Sequence, residues 1–147
     1  MTDIRFITDD EVPAFRAAIA FGFGADLDDE EGGEERYREL FPLETSIAAF
    51  EGERIVATFG SLDFDLTLPG GSALAMAGTT IVTVHPTHRR RGMLTTMMRM
   101  HLDQAMDRGQ PLAGLWASEP QIYGRFGYGG AARAHDLTIP ADRITVP

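Results

Sequence analysis

The clearest regularity along the chain is a helical pattern of apolar residues that follows a short β-branched segment. All four residues at 81–84 are β-branched and favour a strand, and Pro86 ends that strand because proline cannot donate to a sheet. From Gly92 onward, apolar residues recur every three or four positions, which predicts an amphipathic helix that stops at Gly109. Its apolar face consists of Leu94, Met97, Met98, Leu102 and Ala105. The segment 79–109 is therefore predicted to form a strand, a tight turn and a long helix.

A strand pattern followed by a helix pattern opens the chain. The short first strand is indicated by Ile4, Phe6 and Ile7. Thr8 with Glu11 has the spacing of a capping box, which predicts a helix start. Glycines at Gly22 and Gly24 are predicted to end this helix. Its apolar face is predicted to comprise Val12, Phe15, Ile19 and Phe23.

Strand patterns separated by glycine turns fill the middle of the chain. Residues 47–50 and 55–68 flank the turn at 51–53 and predict a β-hairpin, with two-residue alternation in the later part of the second strand. A second turn at 69–71 contains proline and two glycines, and residues 73–84 then read as a third strand. The pattern predicts an antiparallel meander.

The chain beyond the long helix predicts a crossover to a parallel strand. Residues 112–116 form a short apolar run suited to a buried strand, placed as a right-handed β-α-β connection requires. Ser118 with Gln121 predicts the cap of a short helix, and residues 134–139 read as one further strand. The predicted fold class is α+β with a mixed, mostly antiparallel sheet.

Composition limits the function more than the fold. A chain of 147 residues is predicted to form one domain with a real core. It contains no cysteine, which excludes disulfides and cysteine nucleophiles. The net charge of -9 argues against nucleic acid and permits a cationic partner. No targeting segment or membrane-length apolar run is visible, so we expect a cytoplasmic protein without a membrane partner.

The turn before the long helix is a local exception to the negative charge. Arg89, Arg90 and Arg91 lie beside the start of the helix, where unpaired N–H groups and the helix dipole favour anions. A polyphosphate is the natural ligand. The turn lacks the lysine and following Ser or Thr of a P-loop, which argues against ATP. No metal site is predicted, because no ligand spacing on one face connects His85, His88, His101 and His135.

Two motifs together resemble a known family. Arg89, Gly92 and Leu94 follow a strand in the pattern of the coenzyme A pyrophosphate loop of GCN5-related N-acetyltransferases (GNAT), although the last position is usually Gly or Ala. The run VTVHPTHRRRGML, followed by ASEPQIYGRFGYG at 117–129, looks like the enhanced intracellular survival (Eis) branch of aminoglycoside and lysine acetyltransferases. The resemblance is good over 61–139 and holds only in outline before that.

The resemblance implies a fold, a cofactor and a larger parent protein. The fold is the GNAT fold, with α/β/α layers and a parallel, splayed central strand pair. The cofactor is acetyl-CoA. Residues 1–147 would be one acetyltransferase-type domain, an N-terminal fragment that lacks the last strand and further C-terminal domains. Full-length members are homo-oligomers, so we expect a homo-oligomer in that form.

Cofactor contacts carried over from the family fall in three groups. Pyrophosphate contacts, mostly through backbone N–H groups, are implied for Arg90, Arg91, Gly92, Met93, Leu94 and Thr95. The pantetheine arm is expected to run beside Val82, Thr83 and Val84, with one backbone N–H near Val84 facing the thioester oxygen. Ser118 and Glu119 are implied to touch the cofactor, although a helix cap and a first-turn acid explain them equally well.

Tyr123 matches the family tyrosine that acts as the general acid. Its hydroxyl is protonated at neutral pH and can donate to a departing thiolate. The alternative is that Tyr123, Phe126 and Tyr128 form an aromatic core. The family's base is a C-terminal carboxylate that Pro147 does not match, which leaves His85, or Glu119 through water, as weaker candidates.

An acidic segment gives the expectation about the substrate. Eight acidic residues lie at 26–39, and residues 37–41 suggest a short helix closed by Pro42. The segment could line a mouth that collects cationic amines, with Asp26 and Tyr37 as substrate residues by resemblance, or it could be a solvated face. The predicted function is an N-acetyltransferase acting on an aminoglycoside, polyamine or lysine, and the alternative is a non-catalytic acyl-CoA-binding or assembly module.

Overall fold

A computed structural model describes residues 2–26 and 32–133. These residues fall into two compact units, one that reaches Ala117 and one that starts at Ser118. The strand predicted at 134–139 lies outside the described residues. The first unit contains five strands and three α-helices: β1 Asp3–Phe6, α1 Val12–Phe23, α2 Gly33–Leu40, β2 Ile47–Glu51, β3 Arg54–Thr67, β4 Ala73–Val84, α3 Met93–Asp107 and β5 Leu112–Leu115. Short 3-10 turns occupy Asp9–Glu11, Leu43–Thr45 and Pro86–His88.

The sheet has the strand order β1-β2-β3-β4-β5. The first four strands are antiparallel neighbours, and β5 runs parallel to β4 after the α3 crossover. This mixed, mostly antiparallel sheet confirms the predicted fold class. The meander and its turns follow the expected glycine positions, since Gly70 and Gly71 both adopt positive φ at the β3–β4 tip.

Helices cover both faces of the sheet. Adjacent strand residues point to opposite faces. On one face, Thr58 of β3 bonds to Thr83 of β4, and Gly22 of α1 lies directly over Thr83. On the other face, Phe59 contacts His101 of α3, with ring centroids 5.0 Å apart. The α/β/α layering is therefore present in the first unit.

The start of α1 is built as predicted. Thr8 N–H donates to the Glu11 carboxylate at 2.9 Å, which completes the capping box. Arg5 donates to both carboxylate oxygens of Glu11 at 2.8 and 2.6 Å and holds the pKa of Glu11 at about 2. The apolar face is confirmed at Val12 and Phe15, which are fully buried, and corrected at Phe23, which is 56% exposed.

Gly22 does not end α1, contrary to the prediction. The helix continues to Phe23 and ends at Gly24, whose φ of 65° is left-handed. A Cβ on Gly22 would lie 2.5 Å from the Thr83 Cβ. Gly22 therefore serves the close approach of α1 to β4.

Substituting Gly22→Ala should destabilise the protein although alanine is the better helix former. The new methyl group meets a β-branched side chain that cannot rotate away, which costs about 1–3 kcal/mol and outweighs the propensity gain of about 1 kcal/mol. The matched control is Gly33→Ala in α2, where the Cβ would meet only the flexible end of Arg16. Urea unfolding should show a loss for Gly22→Ala alone. Equal stability of the two variants would contradict the tight contact.

Burial at the far end of the sheet is weaker than predicted. One hydrophobic cluster, on the α1 side, is made by Ile7, Val12, Phe15, Tyr37, Ala48, Phe50 and Ile55. By contrast, β5 is not a buried strand, because Leu112 is 42% exposed and Trp116, just beyond it, is 79% exposed. The apolar run predicts the strand correctly and its burial incorrectly.

A buried histidine connects α3 to β4. His101 is 2% exposed, and its Nε2 lies 2.9 Å from Thr79 Oγ1. Burial lowers the pKa of His101 to about 4. This residue is the polar member of the α3 face that the sequence predicted as apolar.

Acid should destabilise the fold through His101. Between pH 6.5 and about 4, His101 binds a proton in the unfolded chain and not in the folded chain. The free energy of unfolding should therefore decrease by up to about 3 kcal/mol as the pH is lowered through this range. Urea unfolding across this window measures the slope. His101→Gln keeps a donor and removes the titration, so its slope should be smaller. An unchanged slope would assign the acid sensitivity to other groups.

Candidate functional site

A bulge interrupts β4 in the middle of the sheet. The β3–β4 register shifts between the pairs Thr58↔Thr83 and Gly60↔Thr80. At this point Ile81 has a φ of 47°, which is costly for a β-branched residue. Strain of this kind concentrates at functional sites, and bulges re-aim the backbone beside them.

Two neighbours on β3 hold the bulge. Thr58 Oγ1 donates to the Ile81 carbonyl at 2.7 Å and accepts a hydrogen bond from Thr83 Oγ1 at 2.7 Å. A Cβ on Gly60 would lie 2.6 Å from Ile81 Cδ1, so only glycine leaves space for the Ile81 side chain there. Both β3 residues therefore fix the distorted backbone of β4.

Beyond the bulge, β4 and β5 part. Within the described residues their pairing ends at Thr79↔Leu115, while β4 continues to Val84. The predicted pantetheine residues Val82, Thr83 and Val84 lie on this continuation. The Thr83 side chain faces α1 and Thr58. Its predicted cofactor contact would therefore have to come from its main chain.

The chain then passes through the arginine turn, residues 89–92, into α3. Arg90 and Gly92 both adopt left-handed φ, of 63° and 85°, which aims successive N–H groups to one side as in an anion-binding nest. Thr96 N–H donates to the Gly92 carbonyl at 3.1 Å, and the N–H groups of Met93, Leu94 and Thr95 precede that bond in the first turn of α3. The main chain here is suited to an anion.

The three arginine side chains differ in their contacts. Arg91 donates to the Thr87 carbonyl at 3.0 Å and lies 3.8 Å from the Glu51 carboxylate. Arg89 makes a long contact of 3.5 Å to the Val84 carbonyl. Arg90 is exposed, and among the described residues its side chain has no ion pair or hydrogen bond. It is the arginine most available to a ligand.

Sequence reasoning missed a set of hydrogen-bonded polar side chains that joins the β2–β3 turn to residues 85–88, just before the arginine turn. His88 Nε2 lies 3.0 Å from the Glu51 carboxylate, and His85 Nε2 lies 2.9 Å from an Arg54 nitrogen. Thr87 Oγ1 lies 2.8 Å from Nδ1 of each histidine. No local sequence signal places Glu51 and Arg54 here, because they come from the β2–β3 turn.

These contacts weigh against His85 as the general base. Arg54 can only donate, so it occupies the lone pair of His85 Nε2. Burial and the charges of Arg54 and His88 lower the pKa of His85. Phe21 stacks on the ring with centroids 4.9 Å apart. His85 is thus neutral, and both of its ring nitrogens are occupied by hydrogen bonds.

A cavity of about 310 Å³ lies under α1, away from the arginine turn. It reaches His85 and Arg54 at one end and is lined mainly by apolar side chains of α1 and β3, among them Ala14, Ala17, Ala18, Phe21 and Val56. The N–H groups of the arginine turn do not line it. We therefore do not assign the cofactor to this cavity.

The second unit holds the predicted acid. Tyr123 is half-buried and meets Tyr128 edge to face at 5.9 Å. Burial, with smaller effects from Tyr128 and Glu119, raises the pKa of Tyr123, so its hydroxyl keeps its proton at neutral pH. Ser118 does not cap a helix as predicted, since a 3-10 turn at Pro120–Ile122 has Glu119 at its cap position. The cofactor contacts of Ser118 and Glu119 stay predictions.

The two predicted substrate residues lie in different settings. Asp26 is exposed just after α1. Tyr37 is 7% exposed and donates to Ser46 Oγ at 3.0 Å, because the Ser46 hydroxyl proton goes to the Pro42 carbonyl. Burial raises the pKa of Tyr37 to about 12. Its contacts are those of a core residue, and its predicted contact with substrate stays a prediction.

No cluster of three or more His, Asp or Glu side chains in residues 2–26 and 32–133 could hold a metal ion. None of the helices in the same ranges is both long and apolar enough to cross a bilayer.

Comparison with known proteins assigns the chain to a protein family. A family model described as an acetyltransferase (GNAT) domain matches residues 3–131. An uncharacterized N-acetyltransferase of Streptomyces avermitilis is 42% identical over 152 aligned residues, which cover 99% of this chain and 36% of the relative. N-acetyltransferase Eis of Mycobacterium tuberculosis is 42% identical over 107 residues, or 70% of this chain and 27% of Eis. The chain thus spans about a third of the length of these relatives.

Solved acetyltransferase structures have the same fold as this chain. Eis1 from Mycobacterium abscessus superposes with a TM-score of 0.75 at 34% identity, covering 88% of this chain and 31% of Eis1. A predicted acetyltransferase from Clostridium acetobutylicum, solved with acetyl-CoA, has a TM-score of 0.76 at 18% identity and covers 94% of this chain, which supports the fold alone. The chain therefore belongs to the GNAT acetyltransferase family, within which it is similar to the Eis N-acetyltransferases.

Proposed function

We propose that this chain is the acetyl-CoA-dependent domain of an N-acetyltransferase that acetylates a primary amine of a cationic substrate. The supporting observation is one continuous piece of backbone, in which the bulged end of β4, paired with β3 and no longer with β5, leads into the arginine turn and the start of α3. This arrangement offers main-chain groups for an amide-rich arm, followed by N–H groups and arginines for a pyrophosphate. The residues present fit the cofactor that the family uses.

We assign each step of the proposed reaction to particular residues. Acetyl-CoA supplies an acetyl thioester, and attack by the amine forms the C–N bond as the C–S bond breaks. The residues from Arg90 to Thr95 bind the diphosphate mainly through N–H groups, and Val82 to Val84 orient the arm. A backbone N–H near Val84 stabilises the developing oxyanion. Tyr123 gives its proton to the leaving thiolate, and water or a carboxylate takes the amine proton.

We also propose that the acetyl acceptor is a cationic amine. A net charge of -9 favours the approach of a cation. The resemblance of the sequence motifs to the Eis branch suggests an aminoglycoside, a polyamine or a lysine side chain as the acceptor. We place the reaction in the cytoplasm, with a full-length protein that is a homo-oligomer and has no nucleic-acid partner.

A thiol-release assay tests this function directly. The chain contains no cysteine, so every thiol that appears in a mixture of protein, acetyl-CoA and amine comes from coenzyme A. Release that depends on both a polyamine or aminoglycoside and the protein, with a matching mass increase of the amine, supports the proposal. Binding of acetyl-CoA without amine-dependent release would favour the non-catalytic acyl-CoA-binding module instead.

A further inference from the structure

Five polar side chains form an unbroken series of contacts between the β2–β3 turn and residues 85–88, which precede the arginine turn. The order is Arg54, His85, Thr87, His88 and Glu51, with successive distances of 2.9, 2.8, 2.8 and 3.0 Å. One end is a guanidinium and the other a carboxylate. The series lies within the first unit and contains none of the residues proposed to touch the cofactor.

When both imidazoles are neutral, the chemistry of the two ends determines where the hydrogens of the series lie. Arg54 can only donate, so His85 Nε2 accepts and His85 Nδ1 carries the proton, which it donates to Thr87 Oγ1. At the other end the Glu51 carboxylate can only accept, so His88 carries its proton on Nε2. His88 Nδ1 then accepts from the Thr87 hydroxyl. The 3.4 Å approach of Thr87 N–H to His85 Nδ1 is too long to compete with this arrangement.

The two ends of the series belong to one β-turn. Glu51 and Arg54 are paired neighbours at the β2–β3 turn, whose Gly52 has a φ of 64°. They contact His88, the last residue of the 3-10 turn Pro86–His88, and His85, which precedes that turn. His88 is only 6% exposed, so its ring is shielded from water, whereas Thr87 and the two ends of the series are exposed. The β2–β3 turn therefore holds the segment 85–88 at both ends.

We propose that the β2–β3 turn is a positioning device for the coenzyme A loop, acting through the hydrogen-bond series from Arg54 to Glu51. The inference rests on the proposed function, because it assigns the loop to coenzyme A. By fixing residues 85–88, the series holds the next residues with their N–H groups aimed at the diphosphate. Binding then costs less ordering of the loop. Glu51, His88 and Thr87 are positioning residues: Thr87 and His88 act through the loop backbone, and Glu51 acts through His88 and through Arg91, whose side chain lies 3.8 Å away.

Thr87 offers the sharpest test, because valine has its shape and serine keeps its hydroxyl. Thr87→Val should weaken coenzyme A binding about three- to tenfold by calorimetry, and Thr87→Ser should bind as the wild type does. Glu51→Ala should weaken binding similarly, whereas Glu53→Ala, in the same turn and outside the series, should not. Thermal unfolding of each variant separates loss of the loop from loss of the fold.

Imidazole nitrogen NMR of the unliganded protein gives a readout that does not depend on the cofactor. We expect the Nδ1–H tautomer for His85 and the Nε2–H tautomer for His88. The opposite tautomer at either residue overturns the hydrogen-bond series. Wild-type affinity in folded Thr87→Val and Glu51→Ala overturns the positioning role alone. A folded wild type with the expected tautomers and no affinity for coenzyme A overturns the proposed function, and the positioning role with it.

Discussion

Substituting Gly92→Glu should reduce the affinity of the chain for coenzyme A by about 100-fold or more. Gly92 has a φ of 85°, and a residue with a Cβ is strained there by about 1–2 kcal/mol. The added carboxylate also stands where the N–H groups of the arginine turn and the first turn of α3 meet an anion. Calorimetric titration with acetyl-CoA measures the loss.

Gly70→Glu is the matched control for this variant. Gly70 lies at the β3–β4 tip with a φ of 97°, and neither glycine has a heavy atom within 4 Å of the position its Cβ would take. The two substitutions therefore introduce the same charge and similar strain. Gly70→Glu should bind acetyl-CoA normally. Equal losses in both variants would mean that net charge or stability, and not the loop, controls binding.

Substituting Tyr123→Phe should slow acetyl transfer about 100-fold while leaving the affinity for acetyl-CoA nearly unchanged. The phenyl ring preserves the edge-to-face contact with Tyr128, so the local packing survives and only the proton donor is lost. Single-turnover kinetics with an amine acceptor give the rate, and calorimetry gives the affinity.

The pH profile adds a second criterion for Tyr123. Burial raises its pKa above the ordinary tyrosine value, so the wild-type rate should not fall at alkaline pH until beyond that value. Tyr128→Phe removes a neighbouring hydroxyl from the same unit and should keep most of the activity. A Tyr123→Phe variant as fast as the wild type would exclude Tyr123 as the acid.

The strand, turn and helix around the arginines could be predicted because their signals are local. Four β-branched residues, a proline and a helical apolar repeat each act within a few positions. The capping box at Thr8 and Glu11 is equally local, and it is present. The anion-binding turn followed from the same segment, and the function class followed from the resemblance of this segment and of the run at 117–129 to a known family.

The missed features all depend on distant partners. Gly22 resembles a helix end in sequence, and only the approach of Thr83 from β4 shows its role. The left-handed conformation of Ile81 needs Gly60 and Thr58 on the neighbouring strand. The contact of Glu51 with His88 joins residues from two different turns. Such pairings are set by strand register, which residue-by-residue reasoning does not supply.

The parting of β4 and β5 creates a sheet edge in the interior of the sheet. Beyond Thr79, the main-chain donors and acceptors on that side of β4 have no β5 neighbour, and the residues that follow include the strand-favouring Val82 and Val84. Exposed strand edges are templates for pairing with another polypeptide, and proteins ordinarily cover or blunt them. The function proposed above gives this edge to the pantetheine arm, an extended, amide-rich chain that can itself pair like a strand. On that proposal, the bound cofactor also covers a backbone edge that could otherwise pair with another polypeptide.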